Sequence, residues 1–399
     1  MASGLKLGMF LTPATNPARP MADVLDWNID VIRKADELGY DEVWIGSHLT
    51  SHYSRIACPQ HVIARAIGDT RRLTLGAGVD VVYQQHPVTL AASLAQLDHM
   101  ARGRLHFGFG AGATVSDKIM FGVDGPTSHD MLLEGLTIIE QCWSAEGPRA
   151  YDGKFWKVHP PVDTYSGGNY GWHHRPYGPW QTRTAFAGGF STKSSMLRLA
   201  GERGGIPMSL NFFSEHVRSH WDSVEEGAAA AGRTPDRARW RQVRDVFVAE
   251  SDAEARRAVL DGFAGRFWNE YFKPICEKLN ATHLFRRPEA DQDAELTAEY
   301  LVDTKAWAVG SPATVAALIR EQFERSGGFG TLLQLGSDYA DDGARQRWFR
   351  SMELLATEVR PLLRDLRHGG LDAPQTLGLG DGAAKPRRPS SQELPGDDR

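Results

Sequence analysis

The chain has 399 residues, 41% of them hydrophobic, enough to bury one barrel-sized core or two ordinary ones. Its 45 Lys and Arg stand against 50 Asp and Glu, and the net charge of -5 offers no bulk attraction to nucleic acid or anionic lipid, which disfavours both as partners. Cys58, Cys142 and Cys276 form neither a C-x-x-C pair nor an even-numbered framework, and Met1 to Phe10 carries neither a signal-peptide pattern nor a membrane span, so a cytoplasmic protein with reduced thiols is expected.

In chain order, Leu5 to Leu11 is a short apolar run ending near Pro13, and Met21 to Leu38 repeats apolar residues at helical spacing until Gly39 stops it. The alternation then recurs: strand Glu42 to Ile45, helix Cys58 to Ile67, strand Leu73 to Val82, helix Val88 to Met100, strand Leu105 to Phe109, helix Ser128 to Trp143. Strand Thr184 to Ala187, helix Lys193 to Glu202, strand Pro207 to Phe212 and helix Ser214 to Ala231 continue it. Strand Val243 to Ala249 with a helix through Val259, helix Ala313 to Arg325 and strand Thr331 to Leu335 complete it. Units of this kind predict a parallel sheet under helices, and eight strand-like segments favour a closed TIM (β/α)8 barrel over a doubly wound sheet.

Two stretches break the rhythm, Tyr151 to Arg183 and Gly262 to Trp307, and read as functional lids or insertions. From about Gly369 the apolar periodicity ends, so residues 1–368 are expected to form the barrel domain and 369–399 a disordered tail.

A barrel carries its chemistry where the strands end at their C-termini. His48 follows the strand ending at Ile45 and would face the mouth as acid, base or hydrogen-bond donor, unless it is simply one of the chain's 14 histidines on a loop. Gly76 and Gly78 beside Ala77 and Val79, and Gly108, Gly110 and Gly112 around Ala111, permit either close backbone approach to a ligand or tight packing at a barrel corner. Neither set is a Walker motif or a dinucleotide fingerprint. Gly188, Gly189, Ser191, Lys193, Ser194 and Ser195 converge on a helix start, where a phosphate would bind or where a serine would merely cap the helix. Trp172 to Tyr177 holds adjacent His173 and His174, but no carboxylate or cysteine at ligand spacing, so no metal is expected; its aromatics suit a substrate lid or a dimer contact.

Ordered blocks then carry a resemblance. Gly39-Tyr40-Asp41-Glu42-Val43-Trp44-Ile45 with His48, Leu75 to Val79, His86-Pro87, Leu97-Asp98-His99, Gly103-Arg104-Leu105, Phe121 to Asp124, Val309 to Ala313 and Ser326 to Gly330 resemble the luciferase-like monooxygenases, in wording nearest the limonene-type branch. The resemblance spans roughly residues 5 to 365 and implies FMN across the barrel mouth, with His48 catalytic near the flavin. It also implies a non-prolyl cis peptide at Gly78-Val79 beneath the isoalloxazine, and a phosphate loop from Gly188 to Ser195. Luciferases carry an arginine for the phosphate where this chain has Ala111, and Ser47 and Leu49 replace their glutamate and second histidine, so light emission and long-chain aldehydes are not implied.

The implied activity is a two-component monooxygenase. Reduced FMN from a separate NAD(P)H:flavin reductase would react with O2 to a C4a-hydroperoxide and oxygenate a small organic substrate by hydroxylation, epoxidation or Baeyer-Villiger insertion. The long Tyr151 to Arg183 segment would serve as lid, and the enzyme would be a homodimer. Two alternatives stay open: an F420-dependent oxidoreductase on the same barrel, and a non-catalytic flavin-binding relative.

Overall fold

Eight of the apolar runs form the wall of one barrel: β1 (Lys6–Leu11), β2 (Glu42–Ile45), β3 (Thr74–Ala77), β4 (Leu105–Gly110), β5 (Thr184–Gly188), β6 (Ile206–Ser209), β7 (Arg241–Arg244) and β8 (Thr331–Gly336). This computed structural model describes residues 4–367 except 13, 145–146, 161–177, 190–191, 211–213, 288–292 and 340. Neighbours run β3-β2-β1-β8-β7-β6-β5-β4, and β3 also pairs with β4 in parallel, Leu75 opposite Leu105, which closes the ring.

Helices α1 (Met21–Glu37), α2 (Pro59–Ile67), α3 (Pro87–Ala101), α4 (Gly125–Trp143), α5 (Ser195–Arg203), α6 (Ser214–Ala230), α7 (Pro312–Ser326) and α8 (Asp342–Leu354) cover the strands. Their starts follow local chemistry: the Asp124 carboxylate accepts from the Thr127 amide at 2.7 Å and Asp341 from the Ala344 amide at 2.8 Å, while α2, α3, α4 and α7 open on a proline in the first turn. Gly204 and Gly327 end α5 and α7 with φ of 63° and 78°, a conformation that costs other residues more.

Strand alternation divides the apolar side chains into two cores. The larger lies between wall and helices, and the smaller, built from Phe10, Trp44, Ala185, Ile206, Met208, Val243 and Leu333, fills the barrel. Trp44 needs room, and the wall supplies it: a Cβ on Gly76 would lie 2.7 Å from the Trp44 ring, and one on Gly108 only 1.8 Å from the Ala77 carbonyl oxygen. Gly78 is equally committed, since a Cβ there would meet the Phe10 ring at 2.6 Å. Close packing thus requires a glycine at each of these positions.

Four expectations need correction. The run Leu73 to Val82 is not one strand; it breaks after Ala77 at a cis Gly78-Val79 peptide and resumes for Asp80–Val81, still beside β4. The seventh strand is Arg241–Arg244 rather than Val243 to Ala249, and Val246–Val248 leaves the barrel to pair with Ala308–Gly310. The sixth strand ends at Ser209, short of the predicted Phe212. The stretch from Gly262 to Trp307 is helical for much of its length, including Phe263–Phe267, Trp268–Phe272, Lys273–Lys278 and Ala298–Asp303. The Tyr151 to Arg183 stretch begins as a hairpin of Tyr151–Asp152 with Lys157–Val158, fastened by Glu134, which accepts from the amides of Lys154, Phe155 and Trp156. Residues 369–399 lie outside the described residues, as do Ser191 and Trp172 to Tyr177.

Candidate active site

The C-terminal ends of β2, β3, β4 and β5 are consecutive in the ring, so the turns after them form a continuous arc along one side of the mouth. His48 stands at one end of it. Its amide donates to the Ile56 carbonyl at 2.9 Å, and the neighbouring Ser47 hydroxyl donates to the Val79 carbonyl at 3.2 Å, tying the β2 loop to the β3 turn. The imidazole Nδ1 lies 2.6 Å from the Thr114 hydroxyl and 3.7 Å from an Asp117 oxygen. Nε2 has no hydrogen-bond partner among the described residues, and the side chain is 31% exposed. One edge of the ring is therefore anchored and the other is open, the arrangement an acid, base or donor needs.

Asp117 is nearly buried and organises this end of the arc. It accepts from the Thr50 amide at 2.9 Å, the Leu49 amide at 3.3 Å and the Thr50 hydroxyl. Burial pushes its pKa up, but the contacts with His48, Thr50 and Leu49 outweigh that and bring the carboxyl down to about 2, so it is an anion at neutral pH. Asp117 belongs to a short helix, Val115–Met120, that the periodicity did not reveal, and Thr114 is the residue just before it. A signal was present: Thr114-Val115-Ser116-Asp117 is the Ser/Thr-x-x-acid pattern of a helix start, placed directly after the β4 glycines.

Along the arc, Ala77 is buried while Gly78 and Val79 reach the surface of the mouth. Gly110 is pressed against Val79, where a Cβ would lie 2.4 Å from Val79 Cγ2, and Gly112 turns the chain at φ 75° over the Tyr83 hydroxyl. That hydroxyl is buried without a hydrogen-bond partner among the described residues. Ala111 is partly buried against the outer core. Gly188 ends β5, where a Cβ would be 2.7 Å from the Ser194 hydroxyl, and a Cβ on Gly189 would be 2.7 Å from Leu210. Ser194 is the N-cap of α5, its hydroxyl accepting from the Leu197 amide at 3.3 Å, so the capping reading holds for it; Ser195 follows in the first turn, exposed. The structure thus gathers His48, the β3 and β4 turns and the start of α5 on one side of the mouth.

A planar, apolar ring system and an anionic tail suit this arc. Ala187, Leu210 and Leu335 cap the inner core as partly buried apolar groups, and the nine-residue α5 presents its N-terminus with Lys193, Ser194 and Ser195 beside it. Among the described residues no group of three His, Cys, Asp or Glu could hold a metal ion.

A closed parallel barrel with an open-edged histidine over its mouth is a TIM barrel with a side chain placed to act on a bound ligand. Residues 5–329 match the model of the luciferase-like monooxygenases, and the chain belongs to that family. It is 32% identical over 374 residues to the 3,6-diketocamphane 1,6-monooxygenase of Pseudomonas putida, covering 90% of this chain and 98% of that one. The solved structure of that oxygenating constituent, described as a type II Baeyer-Villiger monooxygenase in complex with FMN, superposes with a TM-score of 0.79 over 90% of this chain and 98% of its own. Limonene 1,2-monooxygenase of Rhodococcus erythropolis is 28% identical over 358 residues, 89% of this chain and 85% of that one. The F420-dependent tetrahydromethanopterin reductase of Methanopyrus kandleri shares the fold alone, at 19% identity and a TM-score of 0.61 over 90% of this chain and all of its own. The chain is thus a luciferase-like monooxygenase, and F420 enzymes are distant neighbours.

Proposed function

We propose that this protein is the oxygenating component of a two-component system that carries out Baeyer-Villiger oxidation of an alicyclic ketone, with a separate flavin reductase supplying reduced FMN. The observation that carries the reading is the end-to-end likeness to an FMN-binding Baeyer-Villiger enzyme, 32% identity and a TM-score of 0.79 over 90% of this chain. In balance, ketone, O2 and reduced FMN give lactone, oxidised FMN and water. Bound reduced FMN supplies the activation of dioxygen.

The chain's own residues do the rest. Ala77, Gly78 and Val79 of the β3 turn, with Gly110, Ala111 and Gly112 of the adjoining β4 turn, would hold the flavin ring. Gly188, Gly189, Ser191, Ser194 and Ser195 would hold its phosphate through the α5 N-terminus, without the arginine that Ala111 replaces. His48, its Nδ1 edge fixed by Thr114 and Asp117, would direct Nε2 at the reacting centre and hold or deliver a proton there. The apolar cap of Ala187, Leu210 and Leu335 would keep water from the site.

A cytoplasmic location accords with three unpaired cysteines and with the absence, among the described residues, of any helix long and apolar enough to cross a membrane. A homodimer is proposed on the resemblance alone, and light scattering decides it. The direct test is anaerobic titration with reduced FMN, then mixing with oxygenated buffer containing a bicyclic ketone and analysis for lactone by mass spectrometry with 18O2. One labelled oxygen in a lactone supports the reading; tight binding of reduced FMN with hydroxylated or epoxidised products alone would replace the Baeyer-Villiger assignment.

A further inference from the structure

Between β7 and α7 the chain inserts one nearly continuous helical run, Phe263–Phe267, Trp268–Phe272 and Lys273–Lys278. Its middle segment is a π-turn, a form that recurs at functional positions. Pro274 gives the widening a physical cause, because it has no amide to donate to the preceding turn and its ring crowds the carbonyl there. Tyr271 sits in that turn. Its ring stacks on Tyr53, centroids 5.2 Å apart with 24° between planes, and its hydroxyl accepts from Ser51 Oγ at 2.5 Å. The adjacent Glu270 carboxylate accepts from the Tyr53 hydroxyl.

Ser51 and Tyr53 belong to the loop that carries His48. That loop is held from two directions: Asp117 takes the amides of Leu49 and Thr50, and Tyr271, 220 positions further along the chain than Ser51, takes the Ser51 hydroxyl. Each of the three residues after His48 thus makes one of these bonds.

We propose that Tyr271 is a positioning residue for His48, acting through Ser51. This rests on the role given to His48 above. Tyr271→Phe removes one hydroxyl and keeps the ring stack. Its turnover number is expected to fall by about ten- to a hundredfold, with the ketone KM and the Kd for reduced FMN changed by less than about twofold and more of the consumed flavin yielding hydrogen peroxide. Glu270→Gln, which weakens only the neighbouring fastening, is expected to turn over like the parent. A second readout needs no flavin: in protein labelled with 15N-histidine, the His48 ring signals, assigned by their loss in His48→Gln, should shift and broaden in Tyr271→Phe but not in Glu270→Gln.

Parent-like turnover and unchanged His48 signals in Tyr271→Phe would overturn the proposal, as would an equal loss in Glu270→Gln, which would mean that docking of the insertion in general is what counts. Should the parent protein oxygenate no ketone, the functional reading fails separately, and the histidine spectra still decide this inference.

Discussion

Two acid-base pairs occupy opposite ends of the same barrel, and they are built to different specifications. At the N-terminal end, Arg241 donates to both oxygens of Glu42 at 3.0 Å, the Trp44 indole donates to the same carboxylate, and the two side chains are 1% and 4% exposed. Burial pushes the Glu42 pKa up, and the guanidinium more than offsets it, leaving the carboxyl below its ordinary value. At the mouth, His48 and Asp117 approach only to 3.7 Å, Thr114 shares the imidazole, and one ring nitrogen stays open. A closed pair fixes a structure, whereas a pair with a spare valence can do chemistry.

The largest effect should come from opening the closed pair. Glu42→Gln leaves a buried guanidinium without its counter-ion and is expected to cost about 3–5 kcal/mol in urea unfolding. A loss below about 1 kcal/mol would mean that water reaches the pair, and the contrast between the two ends would fail. His48→Ala is the reciprocal case. Product formation should fall by about a hundredfold, equivalent to about 2.7 kcal/mol of barrier, while the unfolding midpoint stays nearly constant, because the ring is partly exposed and makes few contacts. Comparable losses of stability and rate would assign His48 a structural role instead.

The same contrast explains what could be read from sequence. Alternating apolar periodicity disclosed the eight strands, with Glu42–Ile45 met residue for residue, because strands buried on both faces have little choice of composition. His48 was legible from its place after a strand. Asp117 was not, since its value depends on a short helix with no apolar stripe and on a loop 67 positions earlier in the chain. Tyr271 was hidden more thoroughly, in an insertion whose docking no local pattern encodes. The glycines could be read only in part: Gly76 and Gly78 suited a ligand as well as packing, and the bulk of Trp44 and Phe10 in the lumen shows the packing half of that reading.

A third acid lies between these extremes and sharpens the comparison through pH. Asp80, just after the β3 turn, is 4% exposed; one oxygen accepts from the Gln60 amide at 3.1 Å and the other is buried with no partner among the described residues. Burial dominates and, with only partial relief from Gln60, raises its pKa from 3.8 to about 7. The folded state therefore holds this proton more tightly than the unfolded chain. Its contribution to stability is full below about pH 4 and is lost as pH rises through about 7, with a slope of at most about 1.4 kcal/mol per pH unit. Asp80→Asn cannot ionise, so its unfolding free energy should fall less steeply between pH 5 and 7 and exceed that of the parent at pH 8. Parallel pH profiles for the two proteins would show that Asp80 is solvated in solution.

The smallest effect addresses whether the α5 start behaves like the closed end or the open one. Ser194 already spends its hydroxyl oxygen on the Leu197 amide, so Ser194→Ala should cost about 1 kcal/mol of stability with or without a ligand. Ser195 is exposed in the first turn, and Ser195→Ala should leave stability nearly unchanged. Flavin affinity separates the two roles. If the helix start receives the FMN phosphate, Ser195→Ala should weaken FMN by about fivefold, near 1 kcal/mol, and leave riboflavin, which lacks the phosphate, unaffected. If both variants bind FMN and riboflavin in the parent's ratio, the serines only begin a helix and the phosphate must be held by other groups of the arc. Ala111 makes that outcome informative, because the β4 turn has no arginine and the α5 amides with Lys193 are what this side of the mouth offers an anion.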